Sequence, residues 1–242
     1  MYLQSIRNLL DHLETTQIGA IRDAGALVAT ALLGDGVVYC HEIGHSNQND
    51  FLDRAGGLAA VRPFTFSFAV TDPVPECRKN RPGGREVARD LESVRLAVLS
   101  SNLRAGDVML LGSVSGKNRS PVELAKTCRE IGVKVVAFTA MTYSSQVESL
   151  HPSGKRLYEV ADVVIDTGAP YGDAAVTIQG LEVNALPVSG AGAIVAGWMV
   201  WETAIELMIA AGKPPTVFQS VNRAGGLEFY KKMKDQYEAR GF

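Results

Sequence analysis

The stretch Gly106-Asp107-Val108-Met109-Leu110-Leu111-Gly112-Ser113-Val114-Ser115-Gly116-Lys117-Asn118-Arg119-Ser120-Pro121 reads as a turn, a strand, a polar loop and a helix start in direct succession. Val108 to Leu111 is a continuous apolar run bounded by turn residues, the pattern of a strand buried on both faces. In the loop, Ser113 and Ser115 supply hydroxyl donors, and Gly116 permits positive φ or close approach of the backbone to a ligand. Asn118 and Ser120 stand where a helix N-cap belongs, with Pro121 suited to the first turn and Glu123 completing a capping box with Ser120. Free amides, hydroxyls and the positive end of a helix dipole converge there, which is a physical recipe for holding a phosphate. Ser120 and Glu123 read best as helix-capping residues, and Ser113, Ser115 and Asn118 as ligand-binding ones.

Outward from this stretch the same alternation recurs. Residues 3–14 and 17–32 predict two amphipathic helices, with Leu3, Ile6, Leu9, Leu10 and Leu13 at the spacing of one buried face. Gly34-Asp35-Gly36 ends the second helix, and Val37-Val-Tyr-Cys40 reads as a strand. A helix from Pro121 to Ile131 ends at Gly132, and Val133 to Phe138 forms the next strand. A short helix near 153–160 precedes a strand at Val163–Ile165, and 61–70 is a further strand candidate. Helices at 86–104, 189–211 and 226–240 complete the count, and 71–85 is a loop that could flank a site. Alternating strands and helices argue for a parallel sheet covered on both faces. No linker divides the chain, so one domain over 1–242 is expected, with 1–33 an N-terminal helical extension and 34–242 the αβα core and C-terminal helix. The pentapeptide RAGGL occurs at 54–58 and 223–227, by chance or as two similar helix ends.

The composition, 46% hydrophobic and 21% charged over 242 residues, is that of an ordinary globular protein. A net charge of -2 leaves no basic footprint for nucleic acid, so an anionic ligand must be held by a local arrangement. The three cysteines, Cys40, Cys77 and Cys128, show no metal-type spacing and suit a reduced, cytoplasmic protein. The charged N-terminal residues do not read as a signal peptide. The apolar run Ala191–Met208 is interrupted by Glu202 and Glu206, which argues for a buried helix over a membrane span.

In an open parallel sheet, ligands bind beyond the carboxyl ends of the strands. Two loops qualify here, EIGHSNQN (42–49) and GSVSGKNRS (112–120). The first contains HEIGH (41–45), a match to the zinc-protease pattern H-E-x-x-H. That pattern needs both histidines on one helical face, whereas this segment follows a strand. The longer metzincin pattern would also need Gly at Gln48 and His at Phe51, and Ala140-Met141-Thr142-Tyr143 is only a decoy for its Met-turn.

GSVSGKNRSPVELAKTCREIGVKVVAFT resembles the S-x-S-G-x-T loop, helix and strand of the SIS (sugar isomerase) family, with Asn118 where that pattern has Thr. A phosphosugar-binding subfamily of SIS proteins is also similar at GHS (44–46), RAGGL, HPSGKRLYEVADVVID (151–166), YGDA (171–174) and VFQSVN (217–222). The resemblance implies a three-layer αβα sandwich around a five-stranded parallel sheet, dimeric or higher, with sites near subunit interfaces. It further implies a sugar-phosphate ligand; no cofactor, metal, nucleic-acid or membrane partner is expected. In the family's G-x-G-x-S turn, Gly44 and Ser46 match while Glu42 replaces the first Gly. Known catalytic sets do not carry over: Arg54-Ala-Gly-Gly57 lacks the Glu of the sedoheptulose-phosphate isomerases, and Ala193–Ala196 lacks their Gln and His. The same missing Glu weakens an assignment to the N-acetylmuramic acid 6-phosphate etherases.

On this reading the phosphate cradle is Ser113, Ser115, Gly116, Lys117 and Asn118. Gly44, Ser46, Asn47 and His151 are further binding residues, and His45 with Glu42 form an acid/base pair for aldose–ketose isomerisation. A phosphosugar sensor and a phosphosugar lyase or etherase are the alternatives, with a zinc hydrolase acting through HEIGH as the remote one. Of the remaining histidines, His12 is expected at the surface and His41 at the end of a strand, facing away from the site. Glu148 and Glu182 fall in loops, Asp53 and Arg54 suit a surface or interface pair, and Trp198 and Trp201 are core or interface residues.

Overall fold

The computed structural model describes residues 1–43, 47–79, 81–83 and 87–242, with only the backbone at Asn47. Helix α1 (Tyr2–His12) runs through a π turn at Leu13–Gln17 into α2 (Ile18–Leu33). Then come β1 (Val38–His41), β2 (Val61–Pro63), α3 (Arg89–Leu99), β3 (Val108–Gly112), α4 (Arg119–Glu130), β4 (Lys134–Thr139), α5 (Met141–Ser144) and β5 (Val163–Asp166). A hairpin of β6 (Ala174–Val176) and β7 (Ala185–Pro187) leads into the long α6 (Ser189–Ala210), and α7 (Gly226–Arg240) closes the fold.

Strands β1 to β5 form one parallel sheet in the order β2-β1-β3-β4-β5. The alternation of β3 shows why its sequence is apolar throughout. Val108 and Leu110 join the core with α1, α2 and α6, while Met109 and Leu111 join a second core with α3 and α4. The sheet is therefore the middle layer of a three-layer αβα sandwich. The predicted Gly106-Asp107 turn ties two strand starts together: Asp107 Oδ1 accepts from Val37 N at 2.8 Å and its Oδ2 from Arg104 N at 2.7 Å.

The N-terminal helices are integral to one layer, since α2 packs along α6. Gly25 allows this approach: a Cβ there would run into Thr203 and Val200 O. Helix α6 is, among the described residues, the one helix long and apolar enough by length and composition to cross a membrane. Its apolarity has a local use, because Gly192, Ala193, Ala196, Gly197, Val200, Trp201, Ala204 and Met208 are buried within the fold.

Several sequence expectations are corrected. The strand expected over 61–70 spans only Val61–Pro63, because Pro63 has no N–H and β2 is an edge. The helix expected over 86–104 is shorter, at Arg89–Leu99, and the one near 153–160 is a 3-10 turn at Leu157–Glu159. The antiparallel β6–β7 hairpin was not anticipated, its two strands being too short to show a period. Helix α4 begins at Arg119, so Asn118 is its N-cap residue and Ser120 lies inside the first turn. No capping box forms there, and Glu123 is drawn into the interior instead. The repeated RAGGL is a repeated turn, with Gly57 N donating to Arg54 O at 3.0 Å and Gly226 N to Arg223 O at 2.8 Å. In each copy the middle glycine has positive φ, 83° at Gly56 and 69° at Gly225, so both copies use the same backbone device.

Candidate functional site

The strand order reverses direction between β1 and β3, so the loops leaving these strands diverge to opposite faces and open a crevice between them. A cavity of about 530 Å³ occupies that crevice, within the size range of small-molecule sites. Glu42 lines it from β1, Gly112 to Ser115 from β3, Asn118 and Pro121 from α4, Tyr143 from α5, and Gly172 with Asp173 from the segment before β6.

The loop after β3 is held from behind through its carbonyl oxygens. Thr139 Oγ1 donates to Ser113 O at 2.7 Å, Ala140 N to Val114 O at 3.0 Å, Leu157 N to Gly116 O at 2.8 Å and Leu150 N to Lys117 O at 2.9 Å. With these acceptors occupied at the rear, the cavity side of the loop presents serine hydroxyls and the start of α4. Gly116 has φ 61°, and a Cβ there would collide with Ser144 Oγ, so glycine is required on both backbone and steric grounds. Asn118, in extended conformation, makes no side-chain hydrogen bond to its own helix, which leaves its amide to the cavity it lines.

The opposite wall is acidic and aromatic. Glu42 has φ 38°, a left-handed backbone at a place where glycine would be the unstrained choice. Its carbonyl accepts from Gly112 N at 3.2 Å, which fixes the two loops against each other. Asp173 also has positive φ, 68°, and its carboxylate crowns the start of α6. Oδ1 accepts from Val188 N at 3.1 Å and Ser189 N at 2.8 Å, and Oδ2 accepts from Ser189 Oγ at 2.6 Å. Tyr143 packs on Tyr171, ring centroids 4.5 Å apart, beside Gly172 and Asp173.

The structure thus brings together Glu42, Ser113, Ser115 and Asn118 of the expected site. Gly116 and Lys117 shape the loop through their backbone, without lining the cavity themselves. Gly44, His45 and Ser46, and the Asn47 side chain, lie outside the described residues. His151 is a correction: it is buried behind the loop, its Nε2 2.7 Å from Glu123 Oε2 and its Nδ1 2.7 Å from Ser153 Oγ, and it does not line the cavity. Polar partners on both ring nitrogens drew it inward, a pairing across 28 positions that no local pattern reports. Tyr143, Gly172 and Asp173 were missed as site residues; the last two belong to the YGDA stretch, which carried a resemblance but no assigned role.

His41 ends β1, with its Nδ1 2.8 Å from Phe64 O and its ring stacked on Phe66. In HEIGH, His41 is in a strand and Glu42 has a left-handed backbone, so the described start of the motif is not the helix that a zinc protease requires; Gly44 and His45 lie outside the described residues. His12, expected at the surface, is partly exposed and pairs with Asp166 at 3.2 Å. Burial pushes the thiol of Cys128 up to about 12 and raises that of Cys40 as well, so neither is a reactive nucleophile near neutral pH.

The SIS domain profile matches residues 1–140. The chain belongs to the SIS domain family. A UPF0309 protein of Halalkalibacterium halodurans is 35% identical over 240 residues, covering 98% of this chain and 96% of that one. One of Listeria innocua is 31% identical over 241 residues, covering 99% and 95%. Among solved structures, phosphoheptose isomerase GmhA of Neisseria gonorrhoeae superposes with a TM-score of 0.50 at 16% identity, covering 84% of this chain and 94% of that one. That likeness is one of fold. This SIS domain shares the sheet and its helical layers with it, while the chemistry must be argued from the cavity of this chain.

Proposed function

We propose that this SIS domain binds a sugar phosphate in the crevice between β1 and β3 and isomerises it between aldose and ketose without a cofactor. The observation that carries the reading is the loop after β3, whose carbonyls are tied back while Ser113, Ser115, Asn118 and the start of α4 face the cavity. Such an array binds a phosphate by hydrogen bonds and helix dipole, without a local cation. The phosphate would sit there, and the sugar carbons would extend toward Glu42 and Tyr143.

Isomerisation moves a proton between two adjacent carbons. A base takes the proton from C2 of the aldose while an acid protonates the carbonyl oxygen, giving an enediol. The proton then returns to C1 as the C2 hydroxyl loses its own. Glu42 borders the cavity where such a base is needed, and His45, three residues on, is its proposed partner. The protein is further proposed to act in the cytoplasm as a homodimer or homotetramer.

The competing reading is a phosphosugar sensor, favoured by the absence of the carboxylate that related isomerases carry after the first loop, where this chain has Arg54-Ala-Gly-Gly57. Incubation of sugar phosphates in deuterium oxide separates the two. An isomerase exchanges the C2 proton for solvent deuterium and a sensor leaves it in place, and loss of binding in Ser115→Ala would assign either activity to this loop.

A further inference from the structure

The two walls of the cavity differ in chemistry. The loop wall offers donors from Ser113, Ser115, Asn118 and the α4 terminus, whereas the far wall carries Glu42 and Asp173. No Lys or Arg is among the described residues that line the cavity. Asp173 cannot swing aside to make room for an anion, because both of its oxygens are held at the start of α6 by Val188 N, Ser189 N and Ser189 Oγ. Beside it, Tyr143 lines the cavity and packs on Tyr171, which adds aromatic surface to this wall.

We infer that Glu42 and Asp173 are specificity-determining residues that restrict this site to sugars with one anionic group, the phosphate, and a neutral or amine-bearing remainder. The inference rests on the phosphosugar reading and deepens it. A carboxylate accepts hydrogen bonds and does not donate them, so sugar hydroxyls and ammonium groups satisfy it. A second carboxylate or phosphate on the ligand would face the Glu42 and Asp173 carboxylates, like charge against like charge, with no Lys or Arg among the described lining residues. Phosphorylated sugar acids, sugar bisphosphates and phosphosugars with an ether-linked carboxylate are therefore disfavoured by repulsion. The last of these classes is the substrate type of the etherase alternative. Glu42 has a second relation to the site, because it occupies a left-handed backbone position that glycine would hold without strain.

The test is titration calorimetry at fixed ionic strength with ligands matched in stereochemistry: glucose 6-phosphate, glucosamine 6-phosphate, 6-phosphogluconate and glucose 1,6-bisphosphate, with inorganic phosphate as reference. The expected result is binding of the first two, with the two doubly acidic ligands weaker by about tenfold or more. In Glu42→Gln that gap narrows. Glu42→Gly, which relaxes the backbone, serves as a second folded variant and narrows it too. Equal affinity for acidic and neutral ligands, or an unchanged gap in both variants, overturns the inference and leaves the phosphosugar reading standing. Failure of every ligand, inorganic phosphate included, overturns that reading and the inference with it.

Discussion

His151 Nε2 lies 2.7 Å from Glu123 Oε2, and both side chains are buried behind the loop that follows β3. Glu123 also approaches Thr127 Oγ1 at 3.4 Å and Arg95 at 4.0 Å, while Ser153 Oγ meets His151 Nδ1 at 2.7 Å. This pair fastens the segment containing Leu150 and Leu157, whose amides hold the carbonyls of Lys117 and Gly116. A contact outside the cavity thereby supports the wall formed by the loop after β3.

Removing one partner strands the other in the interior. Glu123→Ala and His151→Ala should each lower unfolding free energy by about 2–4 kcal/mol, measured by urea denaturation. The double variant should cost clearly less than the sum of the two, since the stranded group is then absent. Strict additivity would show that the two residues do not act as a pair.

Gly116 admits no side chain, because its φ is 61° and Ser144 stands behind it. Gly116→Ala should cost about 1–3 kcal/mol of stability and remove phosphate binding, whereas Ser115→Ala should lose binding with little change in melting temperature. Thermal melts with and without ligand distinguish these two outcomes.

The carboxyl of Glu159 is held below the usual carboxylate range, first by the Arg156 side chain and then by the Arg156 amide. A group whose pKa is depressed by folding contributes stability above its unfolded pKa and loses it as pH falls through the folded value. The pair is screened by solvent, so its contribution is small. Glu159→Gln should lower stability slightly at neutral pH and converge with the unmodified protein in acid, as denaturation curves at several pH values would show.

Cys40 and Cys128 are buried and Cys77 is exposed. A thiol reagent at neutral pH should therefore modify one equivalent rapidly in the native protein and three in denaturant. Rapid modification of a second thiol would show that one of the two cores opens readily.

By itself the sequence determined the class of fold and the loop after β3 that lines the cavity. Both depend on short-range patterns: the apolar run Val108–Leu111, the turn glycines, and the serines and Asn118 placed before a helix start. Local backbone chemistry gives such features wherever the chain goes, so they can be read without knowing the neighbours. Only the tertiary structure decided the far wall and the support of the loop. Asp173 joins the site because the hairpin sets its carboxylate at the start of α6, 16 positions away, and His151 leaves it because Glu123 offers a buried partner. The same holds for Glu123, which local spacing assigned to a helix cap. With α4 starting at Arg119 the Glu123 carboxylate lies beyond the first turn, out of place for a cap, and is buried beside His151 instead.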